Sequence, residues 1–125
     1  MKRVVLVDDS VLFCRFFLRY MREQHPTLDA ATFNDPTEAL SSLDPSVDLF
    51  ILDWEMPKMD GAEFLERAVE KGLSSNKVVI LSSHTADELH DRFANDNCLA
   101  VLEKYECIQK EVLNMLLEEV EAKGE

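Results

Sequence analysis

The sequence predicts a single α/β domain of (βα)5 type, with a doubly wound, five-stranded parallel sheet and helices on both faces. Three observations lead there. Short apolar runs recur five times in 125 residues: "VVLV" at 4–7, "LDAATF" at 28–33, "LFIL" at 49–52, "VVIL" at 78–81 and "LAVL" at 99–102. Amphipathic stretches separate them, and strands that alternate with helices build parallel sheets through crossover connections. Four of the runs are apolar without interruption, as strands covered on both faces must be, whereas "LDAATF" carries polar residues and belongs at an edge.

Taken in chain order, each element has its own signal. The first strand runs into Asp8 and Asp9. A helix over residues 11–24 follows, with Phe13, Phe17, Tyr20 and Met21 on a core face and Arg15, Arg19 and Arg22 on a solvated stripe roughly opposite. After the second strand, Asp35, Pro36 and Glu38 supply a cap, a first-turn proline and a capping box for the second helix. The third strand ends in Asp53 and enters a turn that holds a proline and an Asp-Gly pair. The fourth ends in Ser82 and Ser83, and Thr85 with Glu88 repeats the capping-box pattern for the helix after it. The fifth ends in Glu103 and Lys104, and a last helix over residues 106–122 repeats apolar residues at Ile108, Val112, Leu113, Leu116, Leu117 and Val120.

Composition narrows the function classes. The length suits one domain spanning 1–125, and 46% hydrophobic with 30% charged residues, three Gly and four Pro describe a packed globule rather than a disordered chain. Thirteen Lys and Arg against 25 Asp and Glu leave a formal charge of −12, which repels phosphate backbones and anionic lipid. Direct nucleic-acid and membrane partners are not expected. Cys14, Cys98 and Cys107 are widely spaced, form no metal motif and fit a reducing compartment as buried or free thiols. Before the first aspartates stand only Lys2, Arg3 and "VVLV", too short for a signal-peptide core, so a soluble cytoplasmic protein is expected.

In an open parallel sheet, ligands bind outside the carboxyl ends of the strands. Asp8, Asp9, Asp53, Ser82, Ser83, Glu103 and Lys104 all belong to that edge. Each taken alone is explained as a helix cap, and Ser83 suits that role well. Together they are not, because two like charges about 4 Å apart repel by about 4 kcal/mol at an effective dielectric of 20. Lys104 supplies one counter-charge and a divalent cation supplies two more. Oxygen ligands without His or Cys select a hard ion, and so few of them suit Mg²⁺, which keeps several waters.

The segments "VLVDDS", "ILDWEMPKMDG", "VVILSS" and "LEKY", with "FNDPTEAL" at the second helix, resemble in order and spacing the signature segments of the bacterial response-regulator receiver domain, in its chemotaxis-regulator-like, single-domain form. The motif D-x-x-M-P-x-M-D-G, Asp53 to Gly61, is highly specific, and the resemblance covers the whole chain. It implies a flavodoxin-like sheet of order 2-1-3-4-5. It implies that Asp53 accepts a phosphoryl group from a phosphohistidine on a sensor histidine kinase or phosphotransfer protein. Asp8, Asp9, Asp53 and the backbone carbonyl of Glu55 would hold Mg²⁺, and Lys104 would pair with a phosphoryl oxygen. Ser82 would be the switch hydroxyl that turns inward to the phosphate, with the Ser83 amide beside it. Pro57 and Gly61 would shape the turn, Gly61 through its freedom to take positive φ. Glu55 and His84, each two positions beyond a chemical residue, are expected at the mouth of the site, tuning the phosphoryl lifetime. The product is a signalling domain rather than a turnover enzyme, one that assists its own phosphorylation and dephosphorylation. A downstream protein is expected on the face made by helix 4, strand 5 and helix 5, where Leu113, Leu117 and Val120 would extend an apolar patch, and phosphorylation is expected to drive homodimerisation there.

Three residues depart from the family pattern: Tyr105 replaces the proline after the lysine, Val101 an aromatic, and Asn97 a glycine. A non-proline cis peptide costs about 3–4 kcal/mol, so the bond between Lys104 and Tyr105 is expected to be trans and the loop after it displaced. Among rival readings, a haloacid-dehalogenase-type phosphatase calls for a second aspartate where Glu55 stands. A Ser-His-Asp hydrolase built on Ser83 and His84 lacks both geometry and nucleophile elbow. A pseudo-receiver that binds partners without phosphorylation is the remaining alternative.

Overall fold

The computed structural model describes residues 1–83, 98–105 and 111–123. Their elements are β1 (Arg3–Val7), α1 (Val11–Gln24), β2 (Asp29–Phe33), α2 (Pro36–Ser41), β3 (Leu49–Asp53), α3 (Gly61–Glu70), a 3-10 turn (Ser75–Lys77), β4 (Val78–Ser82), β5 (Ala100–Glu103) and α4 (Val112–Ala122). All five strands are parallel, in the order β2-β1-β3-β4-β5. This is the order that the family resemblance implies. His84, Thr85, Glu88, Asn97, Cys107 and Ile108 lie outside the described residues, as does the helix expected after β4.

Strand side chains alternate between faces, so an unbroken apolar run feeds two cores at once. On one face Val5, Val7, Phe50, Leu52, Val78 and Ile80 pack with Ala39 and Leu40 of α2 and Phe64 and Ala68 of α3. On the other, Val4, Leu6, Leu49, Ile51, Val79 and Leu81 meet Phe13, Phe17 and Met21 of α1 and Leu113, Leu117 and Val120 of α4. Every residue of β3 and β4 is buried. β2 lies at one edge as expected. β5 forms the other edge, and despite its apolar run each of its residues stays partly exposed, because an edge strand has a neighbour on one side only.

The first three helices start where their caps lie. Ser10 Oγ accepts the Phe13 N–H at 3.1 Å, Asp35 Oδ1 that of Thr37 at 2.9 Å ahead of Pro36, and Asp60 Oδ1 that of Glu63 at 2.9 Å. At the far end of α1, buried His25 bonds the Glu121 carboxylate through Nδ1 and Asn114 Oδ1 through Nε2, both at 2.6 Å, and so ties α1 to α4. No helix among the described residues is long and apolar enough to cross a membrane.

Candidate functional site

Parallel pairing puts every strand's carboxyl end at one edge of the sheet, and backbone bonds between neighbouring ends hold the site in line. The Asp8 N–H donates to the Phe33 carbonyl at 3.0 Å, the Trp54 N–H to Leu81 at 2.9 Å and the Lys104 N–H to Ser82 at 2.7 Å. Asp8, Asp53, Ser82 and Lys104 are buried there, while Asp9, Glu55 and Ser83 are exposed. Asp8, Asp9 and Asp53 each place a carboxylate oxygen within 4.8 Å of the others.

The acids are not alone. Lys104 Nζ stands 2.7 Å from Asp8 Oδ2 and 3.9 Å from Asp53 Oδ2, and 4.5 Å above the Phe13 ring centroid. Burial pulls the ammonium's pKa down, but the bond to Asp8 and the charges of Asp8 and Asp53 outweigh it, and the net shift is upward. Asp8 Oδ1 accepts the Ser10 N–H at 2.9 Å. Asp8 Oδ2 is buried and has the Lys104 ammonium as its partner, off the ideal hydrogen-bond direction, so the attraction is chiefly that of an ion pair. The Asp53 carboxyl is pushed up from 3.8 to about 8, first by burial and then by the charge of Asp8, with Lys104 opposing. The site is therefore short of positive charge. Three carboxylates, one with a buried oxygen lacking a directed donor, fit a hard divalent cation such as Mg²⁺.

Glu55 is exposed at this edge, and its carboxylate is engaged there: Oε2 accepts the Ser82 hydroxyl and Oε1 accepts both the N–H and the hydroxyl of Ser83, all at 2.8 Å. Its N–H donates to Asp53 Oδ1 at 3.2 Å. Sequence spacing gives no hint of the partnership; the β3–β4 register does, since Asp53 opposite Leu81 places Glu55 level with Ser83.

Gly61 is a correction. Positive φ among the described glycines belongs to Gly72, at 105°, not to Gly61. Gly61 is needed for close approach instead: a Cβ there would collide with Trp54 Cε3 and lie 2.9 Å from Trp54 Cα. Its N–H donates to the Trp54 carbonyl at 3.0 Å, folding the turn back onto the residue after Asp53. Another concerns Leu113, Leu117 and Val120, which are buried against the sheet and offer nothing to a partner face; on α4 it is Met115 that is 65% exposed. Phe13, read from the sequence as core, also floors the Lys104 ammonium. No peptide among the described residues is cis, so the bond from Lys104 to Tyr105 is trans as expected, and Lys104 still reaches Asp8. Cys14 is buried, its thiol pushed up to about 11 by burial and then by Asp8, and it donates to the Asp8 carbonyl at 3.3 Å.

Residues 4–117 match the family model of the response regulator receiver domain. Among curated proteins, the cyclic di-GMP phosphodiesterase response regulator RpfG of Xanthomonas campestris pv. campestris is 38% identical over 87 residues, 68% of this chain but 23% of that protein. The chemotaxis protein CheY of Treponema pallidum is 36% identical over 89 residues, covering 70% of this chain and 61% of that one. The chain thus spans less than two thirds of the length of these relatives. Among solved structures, the Francisella response regulator 1452 receiver domain has the same fold, with a TM-score of 0.73 and 23% identity over 95% of this chain and 98% of that one.

Proposed function

The chain belongs to the response regulator receiver domain family, and from that premise we propose that Asp53 accepts a phosphoryl group from a histidine kinase or phosphotransfer protein and so switches the binding of a downstream partner. The observation that carries the reading is the convergence of Asp8, Asp9 and Asp53 with Lys104 and Ser82 at one sheet edge, with the Asp53 carboxyl raised by its surroundings.

In the transfer, an Asp53 carboxylate oxygen forms a bond to phosphorus as the P–N bond to the donor imidazole breaks. The bonding pair leaves on the imidazole nitrogen, which then takes a proton from solvent. The buried end of β3 holds the Asp53 nucleophile rigidly, and Trp54, pinned to β4 by its N–H, fixes the chain behind it. Asp8, Asp9, Asp53 and the Glu55 carbonyl are the residues to hold Mg²⁺, which when bound supplies positive charge against the phosphoryl oxygens. Lys104 keeps its proton in this acidic setting and offers its ammonium to another of those oxygens. Ser82 and Ser83 supply the hydroxyl and the amide, and the phosphorylated state is read out by partners through the face around β5, where Leu99 and Tyr105 are exposed. The same exposed residues, rather than Leu113, Leu117 and Val120, are the ones available to a phosphorylation-dependent homodimer.

Incubation with acetyl phosphate and Mg²⁺ tests the assignment. The parent should gain one phosphoryl group by mass, sensitive to hydroxylamine as acyl phosphates are, and Asp53→Asn should gain none while keeping its fold by circular dichroism. Full labelling of Asp53→Asn, or a parent that takes up no phosphate as a pseudo-receiver would not, refutes it.

A further inference from the structure

Resting on the phosphoacceptor reading, we propose that the Glu55 side chain is a built-in competitor of the phosphoryl group, which occupies the Ser82 and Ser83 donors in the resting protein and has to be displaced before a phosphate on Asp53 can take them. Both Glu55 carboxylate oxygens are engaged: Oε2 by the Ser82 hydroxyl, Oε1 by the Ser83 N–H and hydroxyl, each at 2.8 Å. A carboxylate and a phosphoryl group seek the same kind of donor, an N–H or O–H aimed at an anionic oxygen. The chain therefore satisfies its phosphate-binding donors with an anion of its own.

The arrangement is built by the fold. The β3–β4 register sets Glu55 level with Ser83, and the Glu55 N–H bonds Asp53 Oδ1 at 3.2 Å. The backbone of Glu55 is thus tethered to the phosphoacceptor while its side chain holds the donors. Glu55 and Ser83 are exposed, so the carboxylate can leave into water without opening either core. Phosphorylation turns the Asp53 carboxylate into an acyl phosphate with about one more negative charge, which drives Glu55 out by repulsion as the donors turn to the phosphate. The resting carboxylate accordingly raises the threshold for phosphorylation and re-forms its three bonds after dephosphorylation.

Two measurements on the full chain test this. The first needs neither metal nor phosphate: in NMR spectra of the resting protein, Glu55→Ala should move the Ser83 amide proton upfield as its carboxylate acceptor is lost. An unmoved Ser83 amide overturns the proposal whatever the fate of the phosphoacceptor reading. The second titrates beryllofluoride in the presence of Mg²⁺. Glu55→Ala should bind it about tenfold more tightly than the parent, a difference of roughly 1.4 kcal/mol. In a Ser82→Ala background the same substitution should gain much less, because the contested hydroxyl is gone, whereas relief of plain charge repulsion would give equal gains in both backgrounds. Equal affinity of Glu55→Ala and parent, or equal gains in the two backgrounds, refutes the competition. A parent that binds no beryllofluoride despite the amide shift overturns the phosphoacceptor reading and the competitor role with it, leaving Glu55 a structural tie.

Discussion

Binding of Mg²⁺ should weaken steeply on acidification, because the cation and a proton compete for Asp53. The Asp53 carboxyl is pushed from 3.8 to about 8 by burial and by Asp8. As an acid with a raised value, it contributes stability to the metal-free fold that is fully present below 3.8 and is lost as the pH rises to about 8. A metal ligand must be ionised, so each pH unit below about 8 costs close to a factor of ten in affinity. Between pH 9 and pH 6 the dissociation constant should rise about a hundredfold, or roughly 2.7 kcal/mol. Trp54 is the single tryptophan of the chain, buried and next to Asp53, so its fluorescence can report the titration. Thermal melts should agree, with Mg²⁺ raising Tm strongly at pH 9 and little at pH 6. A dissociation constant that changes by less than about threefold across that range would show that Asp53 is already ionised in the metal-free site.

Other substitutions probe the framework. Lys104→Met leaves Asp8 and Asp53 facing each other, so metal-free protein should lose about 3 kcal/mol at pH 9 and less at pH 6, where Asp53 takes up a proton; Mg²⁺ should bind severalfold more tightly at pH 9, and unchanged melts with and without the ion would contradict the pairing. Gly61→Ala should cost about 1–3 kcal/mol in urea denaturation, since the new Cβ meets Trp54 side chain and backbone together. Full tolerance of alanine would mean that the turn is not closely packed. His25→Ala should cost about 2–4 kcal/mol by removing a buried ring and its bonds to Glu121 and Asn114. Glu121 is held below the usual carboxylate range by Thr27 and then His25, so the part owed to the His25–Glu121 pair alone is present above 4.5 and lost as the pH falls further. Parent and His25→Ala that unfold at the same denaturant concentration would exclude the tie between α1 and α4.

Much of this protein was legible in its sequence because strands and caps are local. Period-two burial makes "VVLV", "LFIL" and "VVIL" continuous apolar runs, and a cap must stand immediately before the helix it starts, as Asp35 does. Parallel pairing then obliges the polar residues that end those runs to share one edge, so the grouping of Asp8, Asp9, Asp53, Ser82 and Lys104 follows from the sequence alone.

Which partner each residue takes was a different matter. Glu55 sits 28 positions from Ser83, and only the pairing of Asp53 with Leu81 brings them level. Nothing near Gly61 in the chain shows that its missing Cβ is filled by the Trp54 ring. Lys104 lies 96 positions from Asp8 and 91 from Phe13, yet the three meet within a few ångströms. Local pattern is set by the rotation of one element about its own axis, and the sequence carries that rotation. The neighbour across the gap is set by register and packing between elements far apart in the chain, and these exist only once all of them have come together.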